Sequence, residues 1–273
     1  MNYEISGDTR LRAKQRAQYL WRNALRNIKL SSNEFTAHKW SLPKAAYDTW
    51  AVGKPSPLRV LSEAFLALEL PALIGKTEIN ILDIGCGSGR SLDLLIQAGF
   101  KGNYIGLDID DRFAPSVKAH ETFNISFTRQ DVHSGLPKGP FDLIVSNSAL
   151  EHIPNDHKLA QIFDAALSDT GVQLHIVPAP GGLFTYLWHG YRQYPLSAIA
   201  DRFDPRGTTI IALGGLFSFL THLFLITIPE ILMHVSLRNK AQVLYQTCLR
   251  TALRLDCYAP FPAVGYVIIS HKS

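Results

Sequence analysis

The sequence has few cysteines and no strong excess of charge. Its three cysteines, Cys86, Cys248 and Cys257, include no CxxC pair, which argues against a disulfide framework or a cysteine-rich zinc site and favours a reducing cytoplasm. The 27 Lys and Arg against 23 Asp and Glu leave a net charge of +4, too small to require a polyanionic partner. No apolar run follows Met1-Asn2-Tyr3-Glu4, so no signal peptide is expected. The 47% hydrophobic content of the 273 residues suffices for a folded core.

Residues 1–77 are predicted to form a mostly helical N-terminal extension ahead of a domain over residues 78–273. Between Arg10 and Lys29 the chain has seven basic residues and no acidic one. An amphipathic helix is predicted there, and its apolar stripe has two interpretations: it packs on the domain, or it lies on an anionic membrane surface. The stripe consists of Ala17, Leu20, Trp21, Ala24, Leu25 and Ile28.

From Glu78 onward, short β-rich runs alternate with helical stretches. This alternation is typical of a doubly wound, Rossmann-like α/β sheet, in which ligands bind beyond the carboxyl ends of the parallel strands. The strand candidates are Ile79–Ile84, Tyr104–Asp108, Ile125–Thr128, Phe141–Ser146 and Val172–Val177. The helix candidates are Pro57–Leu70, with Pro71 at its end, and segments near Ser91–Ala98, Pro115–Thr122 and His157–Leu167.

A glycine-rich loop, Gly85-Cys86-Gly87-Ser88-Gly89, follows the first of these strands and precedes a helix. Glycines are needed where the backbone turns sharply and where a ligand approaches without a Cβ in the way. Asp108 lies 23 residues beyond Gly85, at the end of the second strand. A carboxylate at that position can accept hydrogen bonds from both hydroxyls of a ribose, so the pair of features indicates a nucleoside-containing cofactor.

The loop spacing and the acid before it bear on which cofactor this is. The dinucleotide fingerprint is GxGxxG, with a pyrophosphate over the helix N-terminus, whereas here the spacing is GxGxG and Asp83 precedes the loop. A carboxylate there would repel a pyrophosphate and favour a ligand with ammonium and sulfonium charges, as in S-adenosylmethionine. The alternative is a tight turn in which Asp83 only caps the next helix.

Four motifs together resemble the class I S-adenosylmethionine-dependent methyltransferases, over about Glu78 to Pro180. The resemblance implies a seven-stranded sheet, with S-adenosylmethionine as the methyl donor and S-adenosylhomocysteine as the product. The motifs identify the cofactor more specifically than the acceptor. They are Ile81–Gly89, Ile105–Ile109, Asp131-Val132 before Leu136-Pro137, and Phe141–Ile153.

By that resemblance, the glycine loop lies under the methionine part, Asp108 binds the ribose and Ile109 packs on the adenine. Asp131 would accept a hydrogen bond from the adenine amine, with the amide of Val132 donating to a ring nitrogen; an ordinary turn acid is the alternative for Asp131. The implied cofactor site consists of Asp83, Gly85, Cys86 (through its backbone), Gly87, Gly89, Asp108, Ile109, Asp131, Val132, Asn147 and Ser148. No metal site is predicted.

His152 follows the fourth strand and is the candidate general base, because it titrates in the useful range and lies at the expected cleft. The alternative is a residue that only shapes the pocket. The loop Ser146-Asn147-Ser148-Ala149 lacks the Asn/Asp-Pro-Pro-aromatic motif of enzymes that methylate nucleic-acid bases or protein glutamine. We therefore expect a small-molecule, glycan or lipid acceptor and no nucleic acid.

Beyond the fifth strand, an aromatic and basic segment follows the loop 178–182. Aromatic rings with arginine suit a sugar face or an anionic group, although the same residues could simply be core. The candidate substrate residues are Tyr186, His189, Tyr191 and Arg192, within a segment that also contains Trp188 and Tyr194.

The stretch from Gly207 to Pro229 contains no Asp, Glu, Lys or Arg. We predict that it does not span a membrane, because Thr208–Leu213 and Val264–Ser270 suit the last two strands of the sheet. What then remains is shorter than the roughly 20 residues that a span needs. A helical insert is predicted over about 214–257. It either dips into a bilayer interface or covers the site as a lid, or it packs as a buried helix or dimer contact.

The sequence therefore predicts a methyltransferase whose acceptor is a small molecule, a glycan or a lipid-linked compound, in the cytoplasm or at the inner face of the membrane. A peripheral membrane contact and a homodimer stay open. Two other functions also stay open: a non-catalytic cofactor-binding protein or membrane scaffold, and, more remotely, an NAD-dependent oxidoreductase.

Overall fold

An eight-stranded sheet lies at the centre of the computed structural model, which describes residues 5–28, 35–112 and 120–273. Its strand order is β1-β7-β8-β6-β5-β2-β3-β4. Only β8 is antiparallel to its neighbours, β6 and β7, within this described sheet. The strands are β1 (Ala37–Trp40), β2 (Glu78–Ile84), β3 (Lys101–Asp108), β4 (Phe123–Arg129), β5 (Phe141–Asn147), β6 (Leu167–Pro178), β7 (Thr208–Leu213) and β8 (Gly265–His271).

Helices cover both faces of the sheet. Adjacent β5 residues alternate between two cores: Leu143 packs with α3 and α4, and Ile144 packs with α5 and α7. The helices are α1 (Ala13–Ile28), α2 (Tyr47–Trp50), α3 (Pro57–Ile74), α4 (Arg90–Gln97), α5 (Leu159–Ala166), α6 (Gly182–Thr185), α7 (Leu196–Ala200), α8 (Leu216–His222), α9 (Leu237–Lys240) and α10 (Gln242–Leu255), with a π-helical stretch, Leu223–Leu232, after α8.

The predicted doubly wound α/β class is confirmed, and the seven predicted strands coincide with β2 to β8. An eighth strand, β1, pairs in parallel with β7 and comes from the segment predicted to be mostly helical. The helix Pro57–Leu70 continues through Pro71 to Ile74 and ends at Gly75, whose left-handed conformation lets its N–H bond the carbonyl of Pro71. The helix predicted near Pro115–Thr122 lies largely outside the described residues.

Helix α1 docks on the domain mainly through polar side chains, and of its predicted apolar stripe only Leu20 and Ala24 pack inward, against a small core that contains Tyr19. Tyr19, Asn23 and Asn27 are its buried residues. They follow one another at intervals of four residues, and two of them bond the loops between β6 and α7: Tyr19 Oη donates to the carbonyl of His189 at 2.6 Å, and Asn27 Nδ2 to that of Pro180 at 3.3 Å. Carbonyls of these loops need donors, which the apolar stripe does not have.

The insert between β7 and β8 is helical, as predicted, and packs on the domain. Ile226 of the π-helical stretch and Leu249 of α10 belong to the core on the α3 side of the sheet. Ser218 of α8 donates to the Asp256 carboxylate through its hydroxyl at 2.5 Å and through its backbone N–H at 3.0 Å. Among the described helices, none is both long and apolar enough to cross a membrane. The insert is thus partly buried against the domain, while Phe224, Leu232 and Met233 stay more than half exposed.

A buried acid beside α5 joins three loops of the domain. Asp156 is 3% exposed and accepts hydrogen bonds from Tyr194 Oη at 2.6 Å and Arg202 Nη2 at 2.8 Å, and Arg192 Nη1 lies 3.1 Å away. Burial by itself would raise the pKa of Asp156, but the hydrogen bond from Arg202 and the positive charges of Arg192 and Arg202 hold it below its ordinary value. The carboxylate therefore stabilises the folded chain while it is ionised.

We expect Asp156→Ala to lower the free energy of unfolding by about 3–5 kcal/mol, because two buried guanidinium groups lose their counter-charge. Since the folded-state pKa is lowered, the contribution is complete above the ordinary pKa of an aspartate and is lost as the pH falls through the folded value. Urea unfolding from pH 7 to pH 3 should show the difference between the two proteins shrinking at acidic pH. Asp204→Ala is the control, because its pair with Arg206 is exposed. Equal effects of the two variants would contradict the prediction.

Candidate active site

The glycine loop lies between parallel strand β2 and helix α4, as the sequence predicts. Gly85, Gly87 and Gly89 have φ angles of +68°, +54° and +82°, which glycine adopts without strain. A Cβ on Gly85 would lie 2.5 Å from the Cβ of Ala149, in the loop after β5. A Cβ on Gly87 would meet no atom of the described chain within 4 Å. Gly85 is thus required for packing, and Gly87 faces open space.

Asp108 at the end of β3 is tied to the glycine loop. Its carboxylate accepts hydrogen bonds from the N–H of Gly87 at 2.8 Å and of Asp110 at 2.9 Å, and the side chain is 3% exposed. Arg112 Nη2 lies at 3.4 Å and is itself 63% exposed. A carboxylate offers about four lone-pair positions, so one acceptor position remains beyond these three contacts. Ile109 next to it is 62% exposed, as a residue packing on a ligand ring must be.

Asp83 lies beneath the glycine loop, and its side chain is almost fully buried there. Its side chain is 1% exposed and accepts a hydrogen bond from Tyr104 Oη at 2.5 Å. Burial raises the pKa of Asp83 to about 7, against the hydrogen bonds from Tyr104 and Ser91. Cys86 is buried too, and burial raises the pKa of its thiol. Its backbone N–H donates to the carbonyl of Leu107 at 3.2 Å and its carbonyl accepts from the N–H of Gly89 at 2.9 Å.

Two further parts of the predicted cofactor site follow β4 and β5 at the same edge of the sheet. Asp131 caps a short 3-10 helix, Val132–Ser134, where its Oδ1 accepts from the N–H of His133 at 2.9 Å. The turn role considered for Asp131 is therefore present, with Oδ2 still available as an acceptor. Asn147 and Ser148 are half-buried at the end of β5, and Ser148 has a φ of +54°, a conformation that is unusual outside glycine.

His152 lies in a polar cluster with Asp8, Glu151 and His189. Its Nδ1 is 2.7 Å from Asp8 Oδ2, and His189 Nδ1 is 3.4 Å from Asp8 Oδ1. The N-terminal segment holds Asp8 there, because Gly190 donates its N–H to both oxygens of Asp8 at 3.1 Å and accepts from the N–H of Gly7 at 2.6 Å. Asp8 was missed by the sequence reasoning, since no local pattern connects residues 144 positions apart.

The cluster strongly shifts the pKa values of its members. Partial burial would raise the pKa of Asp8, but hydrogen bonds from His152, His189 and Gly190 hold it well below its ordinary value. Burial raises the pKa of Glu151, which is 1% exposed. Burial alone would lower the pKa of His152, yet the hydrogen bond to Asp8 and the charge of Glu151 raise it. His152 therefore retains its proton to a higher pH than an isolated histidine does.

The candidate substrate residues separate into two groups. The ring of His189 stacks on Tyr186 with centroids 5.2 Å apart and meets His152 edge-on at 4.5 Å, which places both residues beside the polar cluster. Arg192 is different: its guanidinium is 3% exposed, is paired with Asp156 and donates to the carbonyl of Ile153 at 2.7 Å. The predicted anion-binding role of Arg192 is not compatible with this placement. Tyr191 packs against it, 5.6 Å from ring centroid to guanidinium carbon.

Comparison with known proteins agrees with this arrangement. A family model described as a methyltransferase domain matches residues 59–206. Trans-aconitate 2-methyltransferase of Rhizobium rhizogenes is 31% identical over 99 residues, which are 36% of this chain and 37% of that protein. The enzyme of the same name from Deinococcus radiodurans is 31% identical over 114 residues, 41% and 43% of the two chains. The match thus spans about two fifths of these relatives' length.

A solved structure also shares the fold. The plantazolicin methyltransferase BpumL in complex with SAH is 14% identical, with a TM-score of 0.52 over 95% of this chain and 98% of that one. At this identity the likeness concerns the fold alone. The family model, in contrast, covers more than half of the 273 residues. The chain therefore belongs to the methyltransferase-domain family, as its four motifs predicted.

Proposed function

We propose that the protein transfers a methyl group from S-adenosylmethionine to a small-molecule, glycan or lipid-linked acceptor. The observation that carries the proposal is the open space at Gly87, bordered by Asp108 and Ile109 on one side and by the loop after β5 on the other. In a doubly wound sheet this is the switch point, where β2 has β3 on one side and β5 on the other. A nucleoside cofactor fits the pattern of acids and glycines there.

In this proposal the methionine part lies over Gly87 and near Asn147 and Ser148. The ribose binds Asp108, and the adenine lies between Ile109 and the Asp131–Val132 turn. Asp83 acts through its charge from below the loop rather than by contact. A positively charged ligand would favour its ionised form, since a carboxylate with a pKa of about 7 is easily biased by a nearby charge.

The reaction needs little chemistry from the protein beyond alignment. A lone pair of the acceptor attacks the methyl carbon, the carbon–sulfur bond breaks with its electrons remaining on sulfur, and an O–H or N–H acceptor releases its proton. The protein contributes by holding the two reactants in line and excluding water. The polar cluster and the stacked Tyr186–His189 pair line the acceptor's side in this arrangement. His152 stays the predicted base, although its Nδ1 is engaged by Asp8.

The two glycines of the loop provide a matched test of the cofactor position. We expect Gly87→Ala to weaken S-adenosylhomocysteine binding at least tenfold while costing only about 1–2 kcal/mol of stability for its positive φ. Gly85→Ala adds an overlap with Ala149 and should cost about 2–4 kcal/mol. Calorimetric titration and thermal unfolding measure the two effects. Full affinity in folded Gly87→Ala protein would remove the cofactor from this loop.

The transfer itself is tested with S-adenosylmethionine that carries an isotopic label in its methyl group. Incubated with an extract of the native host, the protein should produce a compound one methyl group heavier that contains the label, detected by untargeted mass spectrometry. Asp108→Ala should suppress this product. Cofactor binding without turnover across polar and lipid extracts would instead support the non-catalytic alternative.

A lipid-linked acceptor is favoured within this proposal by exposed apolar side chains on three neighbouring elements: Trp21, Leu25 and Ile28 of α1, Phe184 of α6 and Phe224 of the π-helical stretch. These residues are 48–69% exposed, and α6 contacts both of the other elements. Helix α1 and the residues just before it also carry exposed basic side chains. Each of these contributes about 1 kcal/mol to the free energy of binding near an anionic bilayer. Together the two features suit a peripheral contact with an anionic membrane.

We expect the intact protein to sediment with phosphatidylglycerol-containing vesicles at low salt and Trp21→Glu/Leu25→Glu protein to stay in solution, because two charges replace side chains that would enter the interface. Val243→Glu/Leu244→Glu is the matched control, with two apolar residues on α10 that are at least as exposed as Trp21 and Leu25 on average; α10 packs on α2, α8 and α9. If the intact protein stays in the supernatant, or if both variants behave alike, a non-membrane acceptor is the better proposal.

A further inference from the structure

Three side chains that commonly bind metals converge in the polar cluster. Asp8, His152 and His189 each place one ligand atom within 4.8 Å of the other two. They come from three separate segments: the N-terminal arm, the loop after β5 and the loop after β6. Atoms bound to one Zn²⁺ at about 2.0–2.2 Å lie roughly 3–3.6 Å apart in a tetrahedral site. His189 Nδ1 lies at such a separation from Asp8 Oδ1, 3.4 Å, whereas His152 Nδ1 is at hydrogen-bond distance from Asp8 Oδ2, 2.7 Å, a contact that a bound metal would lengthen.

Glu151 provides a second, independent observation. It is 1% exposed, and its Oε2 has no hydrogen-bond partner among the described residues. Its Oε1 lies 3.9 Å from His152 Nε2, on the opposite side of the ring from Asp8. A metal-bound histidine usually directs its second ring N–H to a carboxylate, which fixes the ring and makes it a better ligand. Glu151 is the carboxylate near this nitrogen, and its Oε1 would have to move closer than 3.9 Å to accept the N–H.

The charges of the cluster point in the same direction. Asp8 and Glu151 are two acids beside two imidazoles that are neutral when they bind a metal. A buried carboxylate without a compensating charge is costly, and Glu151 has no salt bridge to Lys or Arg among the described residues. A divalent cation between the two rings would balance both acids at once.

We propose that Asp8, His152 and His189 bind one divalent transition-metal ion, with Glu151 supporting His152 from behind. Two imidazoles and a carboxylate favour Zn²⁺, Co²⁺, Fe²⁺ or Ni²⁺ over Mg²⁺ and Ca²⁺. Three protein ligands leave a coordination position open, the arrangement of catalytic rather than structural zinc sites. In the proposed methyl transfer, that open position would take an oxygen or nitrogen of the acceptor. This point alone rests on the proposed function. His152 would then act as a ligand and not as the base.

The test uses the full chain without a polyhistidine tag, freed of metal by a chelator and titrated with Co²⁺ and Zn²⁺. We expect one equivalent to bind, with visible Co²⁺ absorption bands and a calorimetric signal. Asp8→Ala, His152→Ala and His189→Ala should each weaken Zn²⁺ binding at least tenfold, and Glu151→Gln should weaken it several-fold while keeping the ligands. His38→Ala, which removes an exposed histidine of β1, is the control and should bind normally.

Each variant is also titrated with S-adenosylhomocysteine, which reports folding and the cofactor site separately from the metal. Absent Co²⁺ bands, or Zn²⁺ binding that survives His152→Ala/His189→Ala, would overturn the metal site even if the cofactor binds. In that case the cluster is an Asp8–His152 ion pair. Metal binding without cofactor binding would overturn the proposed function and leave the metal site standing.

Discussion

The site depends on the close approach of the loops after β2 and β5 at Gly85. No side chain fits between them, because a Cβ at Gly85 would lie 2.5 Å from that of Ala149. The contact fixes two things together. It aligns the glycine loop with the end of β3, where Gly87 bonds Asp108, and it starts the short helix that carries Glu151 and His152. The two halves of the proposed pocket are thus joined at one point of backbone packing.

A second constraint acts on the acceptor side and comes from the N-terminal segment, which is far from it in the sequence. The N-terminal arm bonds Gly190 through Gly7 and Asp8, and α1 bonds the carbonyl of His189 through Tyr19. Polar donors of α1 therefore hold the chain between β6 and α7, while Trp21, Leu25 and Ile28 stay exposed. The exposure of these side chains follows from the docking, because α1 turns its hydrogen-bonding side chains toward the carbonyls of the loop.

The central sheet and the cofactor half of the site could be predicted because their signals are local. Strand β2, the glycines and Asp108 lie within 31 residues, and their backbone requirements are visible in the residue types themselves. The acceptor half could not be predicted in the same way. Asp8 meets His152 across the fold, and Arg192 is drawn inward by Asp156, which is a tertiary effect without a sequence pattern. Strand β1 was missed because four residues carry too weak a periodicity.

The two halves of the pocket share an electrostatic character that fits a cationic methyl donor. Asp83 and Asp108 are buried acids under the proposed cofactor half, and Glu151 is a buried acid at the acceptor half, where it is joined by the more exposed Asp8. Such acids interact more strongly with a sulfonium than water does, since the surrounding dielectric is lower. The interaction weakens when transfer converts the sulfonium into a neutral thioether. In the proposed reaction the same acids that favour binding of the donor therefore do less to retain the product, and turnover benefits from their burial.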